Sequence, residues 1–227
     1  VGKRVRTETR IGENPVSVSS VAVEMVKKVY DDLDGRTAML LGAGKMGELT
    51  ATHLVSQGVS SIFVSSRTFS KAEALAGQFN GQAIGFDSLD EYLPRADIII
   101  SATGAPHHVL TRGQVEEAMR RRHNRPIFLI DIAVPRDIEP AVRDVYNAFL
   151  YDMDDLKEVA AANARTRQKE AVRAEKIIDE EVANFTHWLS SLDVVPTITA
   201  LREMAEEVKA GEMARAMAKM GADLSAA

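Results

Sequence analysis

The chain contains no cysteine, which excludes a disulfide, a thiolate metal site and a cysteine nucleophile on these residues. No apolar run approaches the roughly 18 residues that cross a bilayer. The opening, VGKRVRTETR, has no signal-peptide core. No membrane association is therefore expected, and the expected location is cytoplasmic. A basic excess is missing too: 28 Lys and Arg face 33 Asp and Glu, a net charge of −5, so a nucleic acid has to be held by a local patch rather than by a global field. The first residue is Val1 rather than methionine, and a piece of a longer protein is expected.

What is present suffices for a core: 227 residues, 45% of them hydrophobic, enough for one large or two modest domains. After a polar lead, SVSSVAVEMVKKVYDDLDG sets Val21, Met25, Val29 and Leu33 four apart, behind capping serines and ahead of Gly35. This spacing predicts an amphipathic helix. From Thr37 the short apolar runs TAMLLGAG, SIFVSSR, QAIGF, ADIIISATG, PIFLIDIAV and AFLYDM alternate with helical stretches at about 46–57, 70–79, 88–93, 111–122 and 137–145. Near-continuous apolar strands joined by helices predict a parallel sheet buried on both faces, a doubly wound α/β domain.

From Asp154 to Leu192 the chain runs without Gly or Pro, the next breaker being Pro196. Wholly helical, that stretch is roughly 58 Å long, too long for an ordinary globular helix, so it has to leave the α/β domain. Val172, Ile177, Ile178, Val182, Phe185, Trp188, Leu189 and Leu192 gather apolar surface in its distal half, whereas NARTRQKEAVRAEK is heavily charged. A further helix is predicted from about Ile198 to Met220, with GADLSAA fraying. Two such helices make a small all-α element that a second copy completes, so a homodimer is expected; a helix folded back on its own domain is the alternative. The expected division is 1–35 as linker and lead helix, 36–153 as a nucleotide-binding domain, and 154–227 as spinal helix and dimerisation region.

Gly42-Ala43-Gly44-Lys45-Met46-Gly47 fits G-x-G-x-x-G, follows a strand and opens a helix. Gly42 permits the tight turn, Gly44 lets the backbone approach a pyrophosphate, and Gly47 lets helix and strand pack closely, with the helix N-terminus facing the anion. All six residues are therefore candidate cofactor ligands in a Rossmann-like domain. An NAD site expects an acid about 20 residues on, at the end of the second strand. Here stand Ser66, Arg67 and, one turn into the next helix, Lys71, groups that suit a 2′-phosphate. NADPH is the expected cofactor.

The fourth strand ends at the ligand edge of such a sheet, where Thr103 and Gly104 border the nicotinamide ribose in this reading. His107 and His108 are adjacent, so their rings point apart and make a poor chelate; no metal site is expected. The run Arg120-Arg121-Arg122 ends a helix, where cations meet the dipole, and contact with a phosphate backbone is the alternative. Asp131 lies inside an apolar run and must find a partner. Pro135 and Arg136 either frame the cleft or form a structural turn. No catalytic acid, base or nucleophile is identified.

With these pieces placed, the sequence resembles the glutamyl-tRNA reductases. The likeness lies in GKRVRTETRI, SVSSVAVEMV, LGAGKMGEL, SSRTFSKAEALA, ISATGAP, LIDIAVPRDIEP, YDMDDLKEVAAANARTRQKEA and VVPTITALREMAEE. The resemblance implies an NADPH domain joined by a long spinal helix to a dimerisation domain. It also implies a further, amino-terminal domain whose cysteine forms a thioester with the glutamyl group of glutamyl-tRNA, which hydride from NADPH reduces to glutamate-1-semialdehyde at the start of tetrapyrrole synthesis. A downstream aminomutase is an implied partner. Without that domain the chain alone is expected to be inactive. Position 66 is Ser where the family often has Asn. Two other readings stay open: a shikimate-dehydrogenase-like NADP oxidoreductase, which has no use for the long helix and bundle, and a non-catalytic NADP-binding scaffold.

Overall fold

A computed structural model describes residues 1–13, 15–192 and 194–224. The chain divides into two compact units, one of Gly12–Lys169 and one of Val1–Ile11 with Glu170–Ala227.

In the first unit the apolar runs become six parallel strands: β1 (Thr37–Leu41), β2 (Ser61–Ser65), β3 (Gln82–Ile84), β4 (Ile98–Ser101), β5 (Ile127–Asp131) and β6 (Ala148–Asp152), in the order β3-β2-β1-β4-β5-β6. Side chains alternate across the sheet, so each central strand feeds two cores. Leu40, Val64, Ile100 and Ile130 point to one, Met39, Leu41, Ile99 and Leu129 to the other. The first core is closed by the helix of the serine-rich lead, Val18–Val29, by Lys45–Ser56 and Phe69–Gln78, and by Leu156 on the helix after β6. The second is closed by Arg112–Arg121 and the short turns around Leu89 and Leu93. In chain order the helices are α1 (Gly2–Glu8), α2 (Val18–Val29), α3 (Lys45–Ser56), α4 (Phe69–Gln78), α5 (Leu89–Tyr92), α6 (Arg112–Arg121), α7 (Met153–Leu192) and α8 (Val195–Leu224).

Polar residues hold the sheet at its amino edge. Arg122, 2% exposed, gives Nη2 to Asp97 Oδ1 at 2.8 Å and to the Pro126 carbonyl at 2.8 Å, Nε to the Arg125 carbonyl at 2.8 Å, and Nη1 to the Ala96 carbonyl. The basic run at the end of α6 is thus mostly structural: Arg120 pairs with Glu117, Arg121 donates to the Asp90 carbonyl, and Arg122 is internal. The Tyr30 hydroxyl, past the end of α2, donates to the carbonyls of Pro126 at 2.6 Å and Asp97 at 3.0 Å.

Two segments differ from the sequence-based expectation. The stretch 137–145 is helical only as a 3₁₀ turn over Pro140–Asp144, because the N–H groups of Asp137 and Ile138 go to the Asp131 carboxylate and Ile138 bridges Leu110. The polar lead contains a helix, α1, in the other unit. There Arg4 bonds Glu8 at 2.8 Å, Glu180 at 2.8 Å and Glu181 at 3.0 Å, surface pairs, the last half-buried, that each contribute little.

In that second unit Ala174 and Ile177 are buried, whereas Val182, Phe185, Trp188, Leu189, Leu192, Ile198, Leu201 and Met204 are exposed. α8 runs past Met220 to Leu224, so the first residues of GADLSAA are helical and the expected fraying there is corrected; Ser225 to Ala227 lie outside the described residues. No helix among the described residues is long and apolar enough to cross a membrane.

Burial and the neighbouring Asp97 charge push the Tyr30 phenol from 10.0 to about 12, against the pull of Arg122, Arg36 and Arg125. Its contribution to stability is whole below pH 10 and is lost as pH climbs through about 12, because in that window the unfolded chain ionises first. Tyr30→Phe is expected to cost about 1 kcal/mol at neutral pH and to flatten the loss of stability above pH 10, read by urea unfolding at stepped pH. An unchanged alkaline slope contradicts the assignment.

Candidate functional site

The turn from β1 into α3 is built around missing side chains. Gly42 has φ +97, and a Cβ there would lie 2.5 Å from the Ala102 carbonyl oxygen at the end of β4. Its N–H donates to the Ser65 carbonyl at 2.7 Å, tying the turn to β2. A Cβ on Gly47 would meet Leu40 Cδ1 at 2.8 Å and Ala102 Cβ at 2.9 Å, and one on Gly44 would come 3.4 Å from the Ala102 carbonyl oxygen. Gly42 therefore serves the turn and Gly47 the packing of helix on strand. Gly44 is the N-cap of α3 and brings no side chain, so the amides of the first helical turn are open to an anion.

Above this turn lies a cleft of about 820 Å³, a size that suits a large organic ligand. Four connections at the carboxyl edge line it: Gly42 to Gly44 after β1; Ser66 to Phe69 and Lys71 after β2; Gly85 to Asp87 after β3; and Ala102 to Val109 after β4. Of the eleven residues singled out in the sequence, Gly42, Ala43, Gly44, Ser66, Arg67, Lys71, Thr103 and Gly104 line the cleft. Lys45, Met46 and Gly47 do not: Lys45 and Met46 are the exposed first residues of α3, and Gly47 is buried beneath the turn. Sequence reasoning missed Phe69 and Gly85–Phe86–Asp87 as lining residues. The signal for the latter was present, since QAIGF ends a strand on the same edge.

The cleft is electrically uneven. Arg67 and Lys71 stand at the end of β2, and among the described residues neither forms an ion pair. Among the described residues the one carboxylate on the lining is Asp87, after β3. At the β4 end, Thr103 Oγ1 donates to Asp137 Oδ1 at 2.5 Å and accepts from Ala105 N at 3.1 Å. The hydroxyl is thus engaged in both directions, and Thr103 borders the cleft through its loop rather than by a free hydroxyl.

Asp131 finds its partners in backbone: Oδ1 accepts from Ala133 N at 3.1 Å, and Oδ2 from Asp137 N and Ile138 N at 2.9 Å each. Burial holds its pKa above the ordinary carboxylate value even so, with nearby Asp137 pushing the same way. Pro135 and Arg136 are absent from the lining. Arg136 instead pairs with Asp152 at 2.8 Å and Asp154 at 3.3 Å, the structural alternative for that turn. Among the described residues no group of three His, Asp or Glu is placed to hold a metal ion.

Residues 24–159 match the family model described as Shikimate / quinate 5-dehydrogenase, and residues 173–227 the one described as Glutamyl-tRNAGlu reductase, dimerisation domain. The chain is 50% identical over 218 residues to the glutamyl-tRNA reductase of Geotalea uraniireducens, covering 96% of this chain and 50% of that protein. It is 53% identical over 221 residues to that of Moorella thermoacetica, covering 97% and 50%. The solved glutamyl-tRNA reductase of Methanopyrus kandleri superposes with a TM-score of 0.79 at 42% identity, over 84% of this chain and 48% of that one. The chain spans about half the length of the curated relatives it matches. Residues 24–159 taken alone fit a model named for shikimate and quinate dehydrogenases. It is the tail after the sheet, together with identity sustained from end to end, that separates the two, and the chain belongs to the glutamyl-tRNA reductase family, of which it spans the nucleotide-binding and dimerisation parts.

Proposed function

We propose that this chain is the NADPH-holding and dimerising half of an enzyme that reduces glutamyl-tRNA to glutamate-1-semialdehyde in tetrapyrrole synthesis. The observation that carries the cofactor choice is the pair Arg67 and Lys71, which line the cleft at the end of β2 where an NAD site has an acid. A guanidinium and an ammonium match a 2′-phosphate and gain nothing from a bare ribose hydroxyl. Gly42, Ala43 and Gly44 bring backbone to the pyrophosphate, Lys45, Met46 and Gly47 supply the first helical turn behind it, Ser66 adds a hydroxyl beside Arg67, and the loop of Thr103 and Gly104 faces the nicotinamide ribose. The cradle fits, because the space a Cβ would occupy at position 42 is taken by the β4 backbone.

When bound, the dinucleotide supplies a hydride. The chain's own residues orient it and keep its reactive face toward an electrophile made elsewhere. With no cysteine in the sequence, the thioester of this reading forms on residues outside the chain. The enzyme works in the cytoplasm as a homodimer through α7 and α8, and its aldehyde product passes to an aminomutase.

Titration with NADPH and NADH tests the cofactor. NADPH is expected to bind more tightly, and Arg67→Ala to weaken it by about 10- to 100-fold, the value of one charge-assisted contact, while leaving NADH unchanged; equal affinities throughout overturn the phosphate reading. Incubated with charged tRNA and NADPH, the purified chain is expected to release no aldehyde, and turnover would place the nucleophile among its own residues. Light scattering at micromolar concentration is expected to give twice the 24.8 kDa chain mass. A monomer there argues against α7 and α8 as a sufficient interface.

A further inference from the structure

One residue that the cleft lining does not include holds both ends of the loop after β4. The Asp137 side chain takes its beginning: Oδ2 accepts from Ser101 Oγ at 2.7 Å and Thr103 N at 2.8 Å, and Oδ1 from Thr103 Oγ1 at 2.5 Å. The Asp137 carbonyl takes its end, accepting from Val109 N at 2.6 Å and Leu110 N at 3.1 Å. Between these points the chain runs through Gly104, Pro106 and His107, all on the cleft lining. Asp137 is itself 0% exposed, and its own N–H is fixed to the Asp131 carboxylate at 2.9 Å, so the clasp is anchored to the end of β5.

A buried carboxylate costs several kcal/mol unless its lone pairs are filled. Here three donors fill them, and all three belong to the end of β4 and the start of the loop. Closing a short loop needs no ion, since backbone bonds such as those from Val109 and Leu110 already do so. What the carboxylate adds is a fixed direction for Thr103, whose hydroxyl then takes Ala105 N and sets the next peptide as well. In a sheet of this order the adenosine half of a dinucleotide lies over β1 to β3 and the second mononucleotide over β1, β4 and β5. The loop that Asp137 clasps is on the second side.

We propose that Asp137 is a positioning residue for the nicotinamide-ribose end of the cofactor, acting through Thr103 and the loop 103–109 without touching the cofactor. The inference rests on the dinucleotide reading of the cleft. It separates the two halves of the ligand: loosening the clasp harms the nicotinamide half and spares the adenosine half.

Calorimetric titration of the whole chain with NADPH and with adenosine 2′,5′-bisphosphate, which carries the adenosine half alone, tests this in the wild type, Asp137→Asn and Thr103→Val. The asparagine keeps the volume and one acceptor oxygen, while the valine keeps the shape of Thr103 and removes only its hydroxyl. Both variants are expected to bind NADPH about tenfold more weakly, the value of one hydrogen bond to a charged group, with bisphosphate affinity within about twofold of wild type on the same scale. Equal weakening of both ligands would show a merely structural role and overturn the inference, as would NADPH affinity unchanged in both variants. A wild type that binds the bisphosphate but gains nothing from the nicotinamide half overturns it too. A wild type that binds neither ligand removes the cofactor reading and this inference together.

Discussion

The close approach of the β1–α3 turn to the end of β4 is the constraint on which the site depends. Two backbones meet there at a distance that leaves no room for a Cβ at position 42, while one at position 47 would press on the side chains of Leu40 and Ala102; they meet because β1 and β4 are hydrogen-bonded neighbours while the chain between them visits β2 and β3. Connections leaving adjacent strands in opposite directions open a crevice at the carboxyl edge. The Gly42 N–H bond to Ser65 draws the end of β2 into the same place. Three strand ends therefore converge on one turn, and the residues after each of them line the cleft.

Strands buried on both faces carry an apolar pattern that reads much the same in several registers, so the polar groups at their ends carry disproportionate information. Ser101, Asp131 and Asp152 occupy matched register positions at the carboxyl ends of β4, β5 and β6. Each has a fixed partner: Ser101 on Asp137, Asp131 on three backbone amides, Asp152 on Arg136 and Arg143. At the amino edge Asp97 does the same work, accepting from Arg122 and from Thr37 N at 3.2 Å at the start of β1. A strand that slipped by one residue would leave a carboxylate buried without these donors, at a cost of several kcal/mol.

What was legible in the sequence was what has a period or a local motif. The apolar runs gave the strands, the four-residue spacing of Val21, Met25 and Val29 gave α2, and G-x-G-x-x-G gave the turn. Arg122 resembled the end of a charged helix because its partner, Asp97, lies 25 residues away and no pattern links them. The same holds for Arg4, whose partners Glu180 and Glu181 lie far along the chain, so no local pattern marks the packing of α1 in a lead that reads as a polar linker. Thr103 was legible as a cleft residue and not as a committed hydroxyl, since its acceptor arrives from the segment after β5. Near 137–145 the helical pattern was real but lost its first turn to a stronger demand, the amides required by Asp131.

The tail follows from the same contrast between local pattern and distant partner. Along α7, Leu156 is buried and Val159 and Ala160 pack against the core of the sheet unit, while Val182, Phe185, Trp188, Leu189 and Leu192 recur three and four apart and stay exposed. α8 repeats this with Ile198, Leu201, Met204 and Val208. A monomer rarely leaves so long a run of apolar side chains in water. Helical spacing means that each group forms a face rather than a scatter, so what covers it must be extended and itself apolar. These residues lie within 173–227, the stretch that matches the dimerisation domain. The homodimer proposed above would supply such a face from a second copy of the same helices.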